Sequence, residues 1–119
     1  MNRIRKSKGF TLVEIMIVVL IIGILMAIAV PNFIKARQGS RQKTVIANLK
    51  QIDSAKEQWA METGQVAGAA CASGDLTPTY VKTWPTGPVT GTYVPQPVGT
   101  DPDFINKTAT QWANDPTGL

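Results

Sequence analysis

The chain has 119 residues, a net charge of +4 and no histidine, and 44% of its residues are hydrophobic. Such a length predicts one domain at most. The lack of histidine removes the commonest general base, and the single cysteine, Cys71, permits neither an internal disulfide nor a cysteine-based zinc site. All of the excess positive charge falls within positions 1–9, and the rest of the chain is neutral overall. The charge therefore indicates membrane topology rather than a nucleic-acid-binding surface.

An apolar zone follows these basic residues. Between Phe10 and Val30 the only polar side chains are Thr11 and Glu14, and Ile15–Val30 has none. As a helix, this zone would measure about 31 Å, which matches a hydrocarbon core of roughly 30 Å. Because basic residues favour the cytoplasmic side, the N-terminus is expected inside the cell and the rest of the chain outside.

The residues alone leave the type of apolar segment open. A cleaved secretory signal also has a basic head and an apolar stretch, and Ala27-Ile28-Ala29 resembles its small-residue cleavage site. A plain single-span anchor is the second alternative. A more specific membrane segment is the third, and it is favoured because the apolar run is longer than the usual core of a signal.

The next zone has the pattern of an amphipathic helix. Gly64 is a natural C-terminal stop for it. The C-terminal zone is expected to cover its apolar face, while most of its basic residues lie off that face. The apolar stripe recurs at helical period and consists of Val45, Leu49, Ile52, Ala55 and Trp59.

The C-terminal zone, rich in Gly, Pro and Thr, predicts short strands. Tyr80–Trp84 and Thr90–Val94 are rich in β-branched and aromatic residues, and prolines bound them. We expect an α+β fold, with one long N-terminal helix and a small head of two or three short strands. The predicted zones are a basic segment at 1–9, a transmembrane helix at 10–31, an amphipathic half of the helix at 32–63 and a head at 64–119.

Glu14 is the residue in the apolar zone that most needs an explanation. A carboxylate near the start of a spanning helix is costly and usually has a partner and a role. No cation lies within one turn of Glu14 inside the apolar zone. If the Gly9–Phe10 bond were cut, the new amino group of Phe10 would supply a positive charge four residues away, on the same chain or on a neighbour. The alternative is a glutamate that stays hydrated at the membrane interface.

The segment Lys8-Gly9-Phe10-Thr11-Leu12-Val13-Glu14, followed by the apolar run and Pro31, resembles the N-terminus of type IV pilins and of type II secretion pseudopilins. The resemblance implies that a membrane prepilin peptidase cuts after Gly9 and that Phe10 is N-methylated. It implies that Glu14 pairs with the Phe10 amine of an adjacent subunit during filament assembly. It also implies that residues 1–9 are a prepilin leader, that the helix at 10–31 forms the filament core, and that this helix breaks between Gly23 and Pro31 in the filament.

The same resemblance implies a structural subunit, not an enzyme, and no cofactor. Its partners would be the prepilin peptidase, identical or related pilin subunits in a homo-oligomeric filament, an inner-membrane assembly platform and membrane lipid. The precursor would span the inner membrane once before it enters a periplasmic or cell-surface filament. An enzyme is disfavoured because the sequence suggests no nucleophile–base pair. Whether the filament is a pilus or a secretion pseudopilus stays open.

Three further features have alternative interpretations. The basic cluster, Lys35, Arg37, Arg41 and Lys43, fits anionic lipid headgroups or a solvated surface, and the rival is a DNA-uptake or surface-binding module. Cys71 is interpreted as a small apolar residue rather than a reactive thiol. The oxygen ligands of a pseudopilin calcium site would have to come from Asp101, Asp103, Asn106 and Asp115. Ile105 interrupts an EF-hand pattern there, so no metal site is predicted, and loop carboxylates are the simpler interpretation.

Overall fold

The structure is a computed structural model that describes residues 8–119. Residues 1–7 of the predicted leader lie outside the described residues. The chain divides into an N-terminal unit that ends at Ala36 and a C-terminal unit, Arg37–Leu119. One helix, α1 (Leu12–Thr63), supplies residues to both units.

The N-terminal unit consists mainly of the apolar first part of α1. Every large hydrophobic side chain from Phe10 to Ile34 is exposed, with exposed fractions of 42–84%. Among the described residues, α1 is the one helix long and apolar enough to cross a membrane, and no part of its most apolar stretch is buried. Because water is a poor environment for so much apolar surface, this part of α1 requires lipid or other protein around it.

The core of the C-terminal unit lies on one face of α1. Val45, Leu49, Ile52 and Ala55 are all buried, and Trp59 is half-buried against the same cluster. This confirms the predicted stripe and its cover by the C-terminal zone. The covering side chains come from five separate places in that zone: Leu76, Val81, Tyr93, Phe104 and Trp112.

Helix α1 ends where the sequence predicts. Its last residue is Thr63, and Gly64 has a φ of +69°, which glycine adopts without a steric penalty. The amide of Gln65 donates to the carbonyl of Ala60 at 2.9 Å. This 6→1 bond and the left-handed glycine together form a Schellman cap, which satisfies a carbonyl that the helix would otherwise leave free.

The head contains two short helices and one small sheet. After α2 (Ser73–Leu76), the strands β1 (Tyr93–Val94), β2 (Asp103–Phe104) and β3 (Lys107–Thr108) pair antiparallel in that order, and α3 (Ala109–Asn114) follows. Tyr93 pairs with Phe104 across β1 and β2, and their rings stack with centroids 4.4 Å apart. The indole Nε1 of Trp112 donates to the carbonyl of Phe104 at 3.0 Å. The architecture confirms the α+β prediction and its upper count of three strands.

The predicted positions of the strands are partly wrong. Thr90–Val94 forms a strand only at its last two residues, and Tyr80–Trp84 forms none. The amides of Tyr80 and Val81 both donate to the carbonyl of Leu76 at 2.9 Å. These residues therefore belong to a turn after α2, and their amides cannot join a strand ladder.

The interpretation of the basic residues of α1 as mostly off the apolar stripe is wrong for Lys56. Its side chain is completely buried, and its Nζ donates to the carbonyls of Pro95, at 3.0 Å, and Thr100. Asp53 Oδ1 lies 3.6 Å from the same Nζ. Because the ammonium finds these oxygens inside the head, its burial is compensated, and it ties the loop at 95–100 to α1.

Candidate functional site

The candidate processing site lies just before α1. Gly9 and Phe10 are exposed and have no regular secondary structure, and 84% of Phe10 is accessible. A Cβ added at Gly9 would meet no atom within 4 Å. The Gly9–Phe10 bond is therefore open to an enzyme, and the fold itself places no steric demand on glycine at position 9.

Thr11 and Glu14 form a capping box at the start of α1. The Thr11 amide donates to Glu14 Oε2 at 3.3 Å, and the Glu14 amide donates to Thr11 Oγ1 at 3.2 Å. Each side chain thus satisfies a backbone donor that a helix N-terminus leaves free. In the single chain the Glu14 carboxylate is consequently held at the first turn of the helix.

The chemistry of the site changes if the Gly9–Phe10 bond is cut. Cleavage would leave a positive amino group on Phe10, one residue before the capping residue Thr11. A positive charge at a helix N-terminus is unfavourable, because the helix dipole is positive there too. The Glu14 carboxylate is the one negative side chain in the N-terminal unit as described, so it is the group available to offset that charge.

Gly23 and Pro31, the predicted positions of the helix break, lie within α1. The helix is continuous through both residues in the single chain, although Pro31 lacks an amide proton for the helical ladder. The expected break concerns the assembled filament, so it stays a prediction. In the structure both residues are helical.

The four residues considered for calcium have other local roles or lie apart in the head. Gln96 donates to Asp103 at 2.8 Å, and Lys107 donates to Asp115 Oδ2 at 2.8 Å. That bond and those from Thr117 hold the pKa of Asp115 well below its usual range. Asn106 has a φ of +58° in the turn between β2 and β3, and Asp101 is exposed. Within residues 8–119 no group of three or more His, Cys, Asp or Glu side chains is arranged to hold a metal ion.

Cys71 is half-buried and packs against the core of the head. Burial raises the pKa of its thiol, and the nearby charge of Asp75 raises it further. The thiol form is therefore favoured, and a thiol is a poorer nucleophile than a thiolate. This environment fits the interpretation of Cys71 as a small apolar residue.

Two features of the site were missed in the sequence, although each had a signal. Thr11 stands three residues before Glu14 at the start of an apolar run, which is the capping-box pattern. Lys56 stands four residues after Ile52 and therefore shares its helix face. A lysine on an apolar stripe predicts either a break in the stripe or a buried ammonium with oxygen partners, and the head provides such partners.

Comparison with known proteins identifies the N-terminal segment. Residues 4–30 match the prokaryotic N-terminal methylation motif. Over 57 residues, 48% of the chain, the sequence is 51% identical to the type IV major pilin protein PilA of Myxococcus xanthus. Over 63 residues, 53% of the chain, it is 44% identical to the type IV narrow pilus major component PilA5 of Thermus thermophilus. Over 62 residues, 52% of the chain, it is 32% identical to type II secretion system core protein G of Vibrio cholerae.

These matches confirm the resemblance to type IV pilins and type II secretion pseudopilins. The chain spans only part of each relative: 26% of the Myxococcus protein, 52% of the Thermus protein and 42% of the Vibrio protein. No solved structure gives a significant match. The similarity to these relatives thus covers about half of the chain.

Proposed function

We propose that this chain, which carries the prokaryotic N-terminal methylation motif, is a structural subunit of a type IV pilus or of a related secretion pseudopilus. The observation that carries the proposal is one arrangement at the N-terminus. An exposed Gly9–Phe10 bond stands just before a helix whose exposed apolar first part contains a single carboxylate, Glu14. Such an arrangement serves cleavage, membrane insertion and self-association in turn.

The first step is processing by a prepilin peptidase in the cytoplasmic membrane. The enzyme cuts the Gly9–Phe10 bond and N-methylates Phe10. Glycine at position 9 allows the backbone to come close to a peptidase, because it has no Cβ. The exposure of both residues and their lack of regular structure support this step.

The second step is storage in the membrane and transfer to a filament. The apolar part of α1 crosses the inner membrane with its N-terminus inside, and the head lies outside. An assembly platform then passes the subunit to identical or related subunits. Lipid is as apolar as the helix, so side-chain packing and polar pairing drive the association rather than exclusion of water.

Glu14 supplies the polar pairing in this scheme. In the single chain its carboxylate accepts a bond from the Thr11 amide, at a long 3.3 Å. The methylated amine of a neighbouring Phe10 would be a stronger partner, because both groups are charged. Glu14 would then pair with the incoming subunit, and only one axial offset between subunits would satisfy both charges.

Replacement of Gly9 by valine tests the processing step. We expect the Gly9→Val chain to keep its leader, to remain in the membrane and to be absent from surface filaments. The fold should be unchanged, because a Cβ at position 9 meets no atom within 4 Å. Immunoblots of membrane and sheared-filament fractions, with N-terminal sequencing of the recovered protein, measure the result.

The matched control is Gly39→Ala, another glycine at which an added Cβ meets no atom within 4 Å. This variant should be cleaved and assembled like the natural chain. Recovery of Gly9→Val in filaments with a normally cleaved N-terminus would overturn the assignment of the cleavage site.

A further inference from the structure

We propose that Arg37, Arg41 and Lys43 bind the phosphate groups of anionic lipids at the outer face of the membrane that α1 crosses. The inference rests on the proposed function, because it needs the apolar part of α1 to lie in a bilayer. These three residues are the members of the basic cluster that belong to the C-terminal unit.

The first support is an excess of positive charge without internal compensation. The sequence has no acidic residue between Glu14 and Asp53. In the part of the chain that the structure describes, the ion pairs involve Lys56 and Lys107. The three cations of the cluster therefore have no carboxylate partner within the described residues and are available to an external anion.

The second support is the placement of the cluster around α1. Gln38 donates to the carbonyl of Pro116 at 3.2 Å, and Gln42 donates to that of Trp112 at 2.8 Å, so this face of α1 is covered by the C-terminal segment. At 3.6 residues per turn, Arg37 and Arg41 lie on one flank of the covered face and Lys43 lies on the other.

This placement suits a membrane surface, and the composition of the cluster does not suit single-stranded nucleic acid. A layer of headgroups surrounds a helix that crosses it, so cations on both flanks reach phosphates. Aromatic side chains that would stack on single-stranded bases are not interleaved with the cluster.

The chemistry of the side chains fits phosphate. Arg37 is exposed and Arg41 is half-exposed, and guanidinium groups bind phosphate with two parallel hydrogen bonds. Lys43 is exposed and adds a point charge. Ile34 is the last large exposed apolar side chain before Arg37, so long side chains at 37–43 can place their charges at the headgroup level.

Native mass spectrometry of the detergent-solubilised full chain tests the proposal. Phosphatidylglycerol and phosphatidylcholine are added at equal concentration, and the ratio of bound lipids is measured. We expect a preference for phosphatidylglycerol. The double variant Arg37→Gln/Arg41→Gln should reduce phosphatidylglycerol affinity about 25-fold, from a loss of about fivefold for each cation near a lipid surface.

The matched control, Lys50→Gln/Lys82→Gln, makes the same change in net charge at two exposed lysines outside the cluster. It should alter the affinity for phosphatidylglycerol by less than about twofold if the position of the charges matters rather than their number. Equal losses in the two double variants, or equal binding of the two lipids by the natural chain, would overturn the proposal.

Two further arms separate the possible sources of phosphate. Inorganic phosphate at the same concentration as the lipid should not displace phosphatidylglycerol, and neither should a short DNA duplex. Displacement by inorganic phosphate would show that the cluster binds a soluble anion, and displacement by the duplex would show that it binds DNA; either result would overturn the lipid proposal. A separate experiment tests whether α1 spans the bilayer: the chain should stay in phosphatidylcholine vesicles after an alkaline carbonate wash. Loss of the chain from these vesicles would contradict the proposed function itself.

Discussion

Replacement of Glu14 by glutamine is expected to abolish filament assembly while leaving the chain processed and inserted in the membrane. Glutamine can serve in a capping box as glutamate does, so the helix N-terminus keeps its bonds with Thr11. The substitution removes only the charge. If Glu14 pairs with the amine of an incoming Phe10, that amine loses its partner in an apolar environment. Breaking one side of such a pair costs about 3–5 kcal/mol, or a subunit affinity lower by roughly a hundredfold or more.

The amount of the chain in sheared surface filaments, relative to the amount in the membrane, measures this effect. Thr11→Ala is the complementary variant, because it weakens the cap by about 1 kcal/mol and keeps the charge of Glu14. Glu14→Ala removes both contributions and should fail to assemble like Glu14→Gln. Normal filament yield from Glu14→Gln, together with loss of filaments in Thr11→Ala, would show that Glu14 acts through the cap and not through a charge pair.

Replacement of Lys56 by methionine is expected to destabilise the head by about 3 kcal/mol. The carbonyls of Pro95 and Thr100 lose a charged donor, and each such hydrogen bond contributes about 1.5–3 kcal/mol. Methionine preserves most of the volume of the side chain, so the loss of stability measures the contribution of the ammonium group rather than the cost of a cavity. Lys50→Met is the control, since it makes the same change at an exposed position of the same helix and should shift the free energy of unfolding by less than about 0.5 kcal/mol.

Urea unfolding of the full chain in detergent, followed by tryptophan fluorescence, measures the stability of the head directly. All three tryptophans, Trp59, Trp84 and Trp112, belong to the C-terminal unit and contact its core. The signal therefore reports unfolding of the head and not dissociation of the apolar part of α1. Equal unfolding midpoints for Lys56→Met and Lys50→Met would show that the buried ammonium does not hold the loop at 95–100.

The helical part of the fold could be predicted because its signals are long and repeated. The stripe from Val45 to Trp59 covers several turns, and the helix ends just before Gly64, because glycine readily adopts the positive φ of a helix cap. The apolar run could be predicted as a membrane-spanning helix from its length and composition alone. Such patterns depend on the local sequence, so tertiary packing did not have to be known.

The sheet could not be placed because its strands are too short to alternate. Each strand has two residues, and β2 and β3 contain an aspartate and a lysine, which are uncommon in strands. The turn between them, Ile105 and Asn106, has positive φ at both residues but lacks the Asn-Gly or Asp-Gly pair that predicts such a hairpin. Tyr80–Trp84 has the composition of a strand, but the amides of Tyr80 and Val81 are already bonded to the carbonyl of Leu76 at the end of α2.

The candidate site shows the same division. The isolated carboxylate of Glu14 could be predicted from its apolar surroundings, and the junction at Gly9–Phe10 from the resemblance of this short segment to pilins. The burial of Lys56 depends on carbonyls supplied about forty residues later in the chain, as its contacts with Pro95 and Thr100 show. Its position on the stripe gave a hint, but its partners belong to loops whose conformation no local pattern determines.

The proposed function requires that the chain enters a filament only after cleavage and methylation at Phe10. Intact-mass spectrometry of the protein recovered from sheared surface filaments tests this requirement. We predict one species, which begins at Phe10, carries a single added methyl group and lacks residues 1–9. Filaments built from a chain that keeps residues 1–9, or that begins at a residue after the small-residue segment Ala27-Ile28-Ala29, would contradict it.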